Sequence, residues 1–175
     1  MRPDTVLEFW FQRDRKSWFS KDADFDLDIR ARFLPLYELA AGGGLAAWMQ
    51  EPRSCLALVI VLDQFPRNMF RGSARAFATD AAAREAARTI LKRGWDKSYT
   101  LDERTFAYLP FEHSENLEDQ EQSLRLFEGN ANLEWARKHY EIVRRFGRFP
   151  HRNAALGRAS TPEEIAFLGQ PGSGF

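Results

Sequence analysis

The sequence predicts a single all-α domain of about eight to ten helices. The most hydrophobic stretch, residues 55–62, consists of eight consecutive apolar residues, and no second stretch of this kind exists. A parallel sheet would need several such strands that are apolar on both faces, so we interpret the stretch as a buried helix. The chain also has no Asn-Gly or Asp-Gly hairpin signal and no series of alternating strands.

Helix start and stop signals divide the first half of the chain. A helix capped by Asp24 or Asp26 is expected to extend to three successive glycines, and Pro35 inside it predicts a kink or a break. Pro52 is suited to the first turn of the central helix. The expected segments are residues 4–11, Asp24 or Asp26 to about 41, 45–49, and Pro52 to about Gln64.

The second half of the chain gives the clearest single start signal. Thr161 and Glu164 have the spacing of a capping box, and Pro162 lies between them at the first helical position. Asn116 is expected to cap another helix, whose first turn is rich in acidic residues. The expected helices span residues 79–92, 102–110, 116–127 and 134–146, followed by a last helix that begins at Thr161.

A carboxylate, an amide and a guanidinium follow the apolar stretch, at Asp63, Gln64 and Arg67. At about 100° per residue, Asp63 projects on the same side of the helix as its apolar neighbours. A buried carboxylate is costly unless it is paired, and the C-terminal end of a helix disfavours negative charge. We therefore expect a cationic partner for Asp63, with Arg67, Arg71 and the later arginines as candidates. Because Pro66 disfavours helix at the preceding residue, the central helix is expected to end near Gln64.

Composition limits the partners of the protein. The 25 basic and 25 acidic residues balance, so no net field favours binding to nucleic acid or to an anionic membrane. The single cysteine excludes an internal disulfide and a cysteine-rich zinc site. No apolar stretch approaches about 18 residues, and the first residues do not resemble a signal peptide. We expect a cytoplasmic protein with no cofactor and no metal, and we leave an oligomer open.

One short pattern occurs twice. The sequence Phe65-Pro66-Arg67-Asn68 precedes Gly72, and Phe149-Pro150-His151-Arg152-Asn153 precedes Gly157, with a helix start after each. The pattern predicts a repeated connector in which proline redirects the chain and glycine permits a left-handed bend. Two copies are a hint of a helical-repeat architecture.

Three motifs carry a resemblance to a known family. They read Leu62-Asp63-Gln64-Phe65-Pro66-Arg67-Asn68, Leu109-Pro110-Phe111-Glu112-His113-Ser114-Glu115 and Arg145-Phe146-Gly147-Arg148-Phe149-Pro150-His151-Arg152-Asn153. With these motifs in order, the chain resembles the bacterial family catalogued as domain of unknown function 924, from Val6 to the tail at Pro171-Gly172. The resemblance implies an all-α, tetratricopeptide-like helical array or bundle. It implies no established activity and no catalytic residues.

Polar side chains from these motifs predict a polar pocket in an otherwise aromatic core. Paired guanidiniums recognise carboxylate or phosphate through two parallel hydrogen bonds, so the expected partner is a small anionic ligand or an acidic peptide. His139 lies on an apolar stripe and is interpreted as a core histidine with its hydrogen bonds satisfied. The candidate ligand-binding residues are Asp63, Gln64, Arg67, Asn68, Glu112, His113, Glu115, His151, Arg152 and Asn153.

Two alternatives stay open, and with them the question of whether the chain is an enzyme. A hydrolase, with or without metal, would use Glu112 or Asp63 as a base and His113 as an acid. The spacing places no two metal ligands together, and no Gly-x-Ser-x-Gly sequence marks Ser114 as a nucleophile. The other alternative is a structural or partner-docking protein, in which the charged residues form a buried ionic network that fixes helix packing.

Overall fold

The helix signals correspond to ten α-helical segments in the computed structural model, which describes residues 1–174 apart from the side chain of Lys16. Short 3-10 turns connect several of them, and these residues contain no β-strand. The all-α prediction is confirmed. The segments are α1 (Pro3–Phe11), α2 (Arg15–Trp18), α3 (Ala23–Ala41), α4 (Pro52–Val59), α5 (Phe65–Met69), α6 (Asp80–Arg93), α7 (Leu101–Glu112), α8 (Leu117–Leu126), α9 (Leu133–Phe146) and α10 (Pro162–Leu168).

The chain separates into two compact units. The first unit comprises residues 1–71 and 75–110, and the second comprises residues 72–74 and 111–175. Across the described residues, no helix is both long enough and apolar enough to cross a membrane.

The start of α3 differs from the prediction. Asp22 caps the helix, because its carboxylate accepts a hydrogen bond from the backbone N–H of Phe25 at 3.0 Å. Asp24 and Asp26 lie inside the first turn, where the positive end of the helix dipole favours negative charge. Pro35 lies inside α3 and does not end it. Alternating aspartates give several equivalent caps, and only the backbone conformation selects one of them.

The central helix does not end near Gln64. A π-helical turn, Ile60–Gln64, joins α4 to α5, and the N–H of Phe65 bonds to the carbonyl of Ile60. Pro66 has no N–H to give to the preceding turn. The carbonyl of Leu62 instead accepts a hydrogen bond from the Thr79 hydroxyl at 2.6 Å. The helix passes the proline because a side chain from the start of α6 supplies the missing donor.

Replacing Thr79 by valine is expected to lower the free energy of unfolding by about 1–3 kcal/mol, since it removes a partner of a buried carbonyl at nearly constant volume. Urea unfolding measures the change. The matched control is Thr89→Val on the same helix, whose hydroxyl bonds to the exposed carbonyl of Glu85 at 3.0 Å. Equal losses in the two variants would contradict the role given to Thr79.

The first unit is held together by aromatic packing. Trp10 of α1 is fully buried, and its ring centre lies 5.4 Å from Phe106, 5.9 Å from Phe65 and 5.9 Å from Phe25. Helix α1 packs on α4, α3 on α5, and α4 on α6. This packing fixes the π-helical turn, which carries Asp63 and Gln64, inside the unit.

The second unit is built on the pairing of α8 with α9. The Asn116 side chain caps α8, and Thr161 and Glu164 form the predicted capping box of α10. Phe149 is fully buried against Ile142 and Val143 of α9. The connector that follows α9 is therefore anchored in the core of the unit by an aromatic ring.

The repeated connector has the predicted glycine geometry. Gly72 has φ of 74° and Gly157 has φ of 65°, both in the left-handed region that favours glycine. Each lies before a helix start, as the sequence indicated.

Candidate functional site

The ten predicted site residues divide between the two units. Four lie in the first unit, at Asp63, Gln64, Arg67 and Asn68; six lie in the second unit, at Glu112, His113, Glu115, His151, Arg152 and Asn153. Within each unit, hydrogen bonds and ion pairs join most of these residues to their neighbours.

Arg67 is the centre of the first-unit network. Its guanidinium makes two parallel hydrogen bonds to the Asp80 carboxylate, at 3.0 and 3.1 Å, and lies 3.3 Å from the carboxylate of Asp63. It also donates to the main-chain carbonyl of Asp63, whose carboxylate accepts from Gln64. Burial disfavours the charged guanidinium, but the two carboxylates outweigh this effect and raise the pKa of Arg67 above its ordinary value.

The expectation of a cationic partner for Asp63 is confirmed. Asp63 is completely buried, and such a carboxylate needs both the charge and the hydrogen bonds that Arg67 and Gln64 supply. The pairing of Asp80 with Arg67 was not predicted. Its position after Thr79 indicated only the start of a helix. These contacts favour a structural role for the network.

Asn68 joins α5 to α3. Its side-chain amide donates to the Asp26 carboxylate at 2.7 Å. Arg71 donates to the same carboxylate, at 2.9 Å for one of its two contacts. Arg71 is therefore bound to α3 through Asp26. Arg67 is the predicted partner that pairs with Asp63.

Glu115 fastens the connector after α9 in the second unit. Its carboxylate accepts the backbone N–H of Phe149 at 2.8 Å and two hydrogen bonds from Arg158, at 2.7 and 2.8 Å. Burial alone would raise the pKa of Glu115, but the bonds from Arg158 and Phe149 outweigh burial and lower it. Arg158 was missed because its partner lies 43 residues away.

Asn153 also stabilises the connector after α9. Its amide donates to Ser160 at 3.0 Å and to Glu164 at 3.3 Å, and its carbonyl oxygen accepts from Arg158 at 3.0 Å. Hydrogen bonds from Arg148, together with the backbone N–H of Thr161, lower the pKa of Glu164 to about 2. The contacts of Glu115 and Asn153 favour a structural role in holding residues 148–164.

The remaining predicted residues lie around Phe149 and its neighbour His139. The ring centres of His139 and His151 lie 5.5 and 5.6 Å from the Phe149 ring, and His113 lies 6.2 Å from His139. The Arg152 guanidinium lies 4.6 Å from the Phe149 ring, and Arg152 donates to the His113 carbonyl at 3.0 Å. All three histidines of the chain are in this group. We call His113, His139, His151 and Arg152 the histidine cluster.

His139 is held in one orientation. Its Nδ1 lies 2.9 Å from the Trp135 carbonyl and 3.2 Å from the Glu112 carboxylate. Both partners only accept hydrogen bonds from a ring nitrogen, so Nδ1 carries the hydrogen and the lone pair of the neutral ring is on Nε2. A second carboxylate oxygen of Glu112 accepts from Asn132 at 2.9 Å.

The sequence interpreted His139 as a satisfied core histidine, and the structure bears out its burial and its hydrogen bond. Nothing in the sequence pattern indicated that Glu112 lies against the same ring. Burial, together with the neighbouring charges of His113 and Arg152, lowers the pKa of His139 well below its ordinary 6.5. His139 is therefore neutral in the folded protein near pH 7.

Ser114 is 2% exposed and donates to the Asp119 carboxylate at 2.7 Å. Its hydroxyl is part of the junction between α7 and α8, together with Gln120, which donates to the carbonyls of Glu112 and Ser114. Within the residues that the structure describes, no group of three or more His, Cys, Asp or Glu side chains is arranged to hold a metal ion.

The free energy of unfolding is expected to fall as the pH drops below about 6.5, because the unfolded state then binds a proton at residue 139 that the folded state does not. The slope from this group reaches about 1.4 kcal/mol for each pH unit. The lowered pKa of Glu115 reduces the free energy of unfolding further only near and below pH 4.5, the ordinary pKa of a glutamate. The contribution of His139 to urea unfolding therefore falls between about pH 7 and 5, above the range of Glu115.

His139→Gln is the matched variant for this measurement, since glutamine can donate a hydrogen bond without titrating. We expect the variant to lose most of the slope between about pH 7 and 5. An unchanged slope would contradict the neutral state assigned to His139.

The fold and its networks define an all-helical protein with a buried ion-pair network in one unit and a histidine cluster in the other. The chain belongs to the bacterial family of unknown function DUF924. The match to this family covers residues 6–172. The resemblance inferred from the three motifs is confirmed. A protein of unknown function from Agrobacterium tumefaciens, ATU0120, has a similar solved structure, with 42% sequence identity and a TM-score of 0.92. That similarity covers 95% of this chain and 96% of the other. No curated protein matches the chain.

Proposed function

We propose that the protein is a soluble, cytoplasmic binding module that holds a small anion at the histidine cluster of its second unit. The observation that carries the proposal is that His139, His151 and Arg152 lie around the buried ring of Phe149, with His113 beside His139. His113 and His151 are half-buried, so this group extends from the core towards solvent. The tetratricopeptide-like arrangement of the helices is part of the same proposal.

The chemistry of the cluster supports an anion as the ligand. A guanidinium fork recognises a carboxylate or a phosphate through two parallel hydrogen bonds. Imidazoles can add donors, and a buried setting strengthens each of these bonds. Free phosphate and the carboxylate end of a peptide share this chemistry.

The other predicted residues support the site indirectly. The paired oxygens of Glu115 are bound by Arg158 and by the backbone of Phe149, which sets the position of the aromatic ring. Arg67, between Asp63 and Asp80, fixes the centre of the first unit. We therefore place the ligand at His113, His151 and Arg152 and assign a structural role to the remaining candidates.

A hydrolase at the same cluster is the second candidate, and one observation favours it. The Glu112 carboxylate lies 3.2 Å from Nδ1 of His139, which directs the basic lone pair to Nε2. A carboxylate that orients a histidine in this way is the arrangement of a general base. The role given to Asp63 in that alternative has less support, because Arg67 and Gln64 bind its carboxylate.

Binding of sulfate and of acetate, measured by calorimetry and by the rise in Tm, tests the anion site. We expect Arg152→Gln to weaken binding by at least about tenfold, because a hydrogen bond to a charged group contributes about 1.5–3 kcal/mol. Sulfate stands for a free phosphate, and acetate stands for a peptide carboxylate, so their relative affinities distinguish the two sources.

Arg144→Ala is the control, since it removes an exposed guanidinium of the second unit that is paired with Glu141. It should bind the anion as the unchanged protein does. His113→Gln gives an independent variant if Arg152→Gln is unstable. Binding that survives both cluster variants, or that is lost equally in Arg144→Ala, would overturn the proposed site.

A further inference from the structure

We infer that a groove on the first unit binds a free α-amino acid with an apolar side chain. The groove has a volume of about 430 Å³, which falls in the range of small-molecule sites. We call it the α1–α3 groove, because it is lined by Thr5, Glu8, Phe9 and Gln12 of α1 and by Arg32 and Phe33 of α3. The inference is independent of the histidine cluster, which lies in the second unit.

Aromatic rings form the floor of the groove. The half-buried ring of Phe9 lies 4.7 Å from the ring of Phe33, which is 1% exposed. Phe33 in turn lies 4.7 Å from the fully buried ring of Phe65. The floor is therefore fixed on the core of the first unit before a ligand arrives. An apolar side chain can leave water here without the cost of ordering the site.

Two side chains of opposite charge lie beside this floor. Glu8 is exposed, and within the described part of the chain its carboxylate has no ion pair and no hydrogen bond. The guanidinium carbon of Arg32 lies 5.4 Å from the centre of the Phe9 ring. Nε of Arg32 donates to Asp28, one turn earlier on α3, at 2.5 Å. This bond orients the guanidinium, and both terminal nitrogens are still able to donate to a ligand.

The two charges select the ligand. A simple anion at Arg32 would be repelled by Glu8 and Asp28, and a simple cation at Glu8 would be repelled by Arg32. A zwitterion avoids both conflicts, because its carboxylate accepts hydrogen bonds from Arg32 while its ammonium donates to Glu8. An α-amino acid carries these two groups side by side, and its apolar side chain can then cover the ring of Phe9.

Titration with related probes, followed by the NMR signals of residues 5–12 and 32–33, tests the inference. L-Phenylalanine carries both charges, phenethylamine lacks the carboxylate, and 3-phenylpropionate lacks the ammonium. We expect L-phenylalanine to bind about fivefold more tightly than either relative, because each relative loses one exposed ion pair. Glycine keeps both charges but leaves the aromatic floor uncovered, so it should bind more weakly than L-phenylalanine.

Two variants assign the charges. Glu8→Gln should reduce the affinity for L-phenylalanine to about that for 3-phenylpropionate, whose own affinity should not fall. Arg32→Gln should reduce it to about that for phenethylamine, again without a fall for phenethylamine itself. Both side chains are exposed, so the variants should keep the fold. Arg88→Gln is the matched control, since it removes another exposed guanidinium of the first unit, paired with Glu85, and should leave all affinities unchanged.

The outcomes separate the site from its ligand. Signals of residues 5–12 and 32–33 that stay fixed at about 10 mM L-phenylalanine overturn the groove as a binding site. Equal affinities for the three aromatic probes, or an equal loss of L-phenylalanine binding in Arg88→Gln, overturn the recognition of a zwitterion by Glu8 and Arg32. Neither result affects the anion site, which is tested with sulfate on the second unit.

Discussion

Replacing Arg67 by methionine is expected to lower the free energy of unfolding by about 3–5 kcal/mol, because it removes a positive charge that stabilises buried carboxylates. Asp63 is completely buried, and Asp80 is 8% exposed. Both are held by the same guanidinium, so one substitution removes a positive charge from two desolvated carboxylates. Urea unfolding measures the loss.

Arg88→Met is the matched control for Arg67→Met. Arg88 lies on α6, which also carries Asp80, and its side chain is 46% exposed in a pair with Glu85. Exposed pairs of this kind contribute about 0.5 kcal/mol or less. Similar losses in the two variants would mean that the network around Arg67 behaves as a surface ion pair, contrary to its burial.

Replacing Phe149 by alanine should have a comparable effect on the second unit, with a loss of about 3–5 kcal/mol. The ring is fully buried against Ile142 and Val143, and the cavity left behind adds to the lost transfer energy. The same substitution removes the surface on which His139, His151 and Arg152 lie. We therefore expect sulfate binding to be lost together with stability.

Two further variants separate the effect of aromatic packing on stability from the effect of the histidine cluster on sulfate binding. Trp135→Ala removes an aromatic side chain of the same unit that is 50% exposed, and should cost about 1 kcal/mol or less. Phe149→Leu keeps much of the buried volume while removing the aromatic ring. A Phe149→Ala protein that keeps both its stability and its sulfate affinity would contradict the central position given to this ring.

Local signals were enough to predict most helices. Caps and capping boxes act within four residues, so Asn116 and the Thr161–Glu164 pair could be recognised directly. The end of the central helix could not be predicted in this way. The donor that replaces the missing N–H of Pro66 comes from Thr79, which lies 17 residues from the carbonyl it serves.

The candidate site shows the same limit. The motifs identified the polar residues, and the pairing of Asp63 with Arg67 followed from a spacing of four residues. The partners that define the networks are distant in sequence. Arg158 lies 43 residues from Glu115, and Asp26 lies 42 residues from Asn68. His139 was judged by the apolar stripe of its own helix, whereas its chemistry is set by Glu112 on another helix.

The ring signals of the three histidines, observed by NMR during a sulfate titration, test the proposed function most directly. Because the chain has only three histidines, each signal can be assigned by a single substitution. The anion site predicts that the signals of His113, His139 and His151 move together along one saturable curve, and that Arg152→Gln abolishes the movement. Signals that stay fixed while the protein remains folded would contradict it.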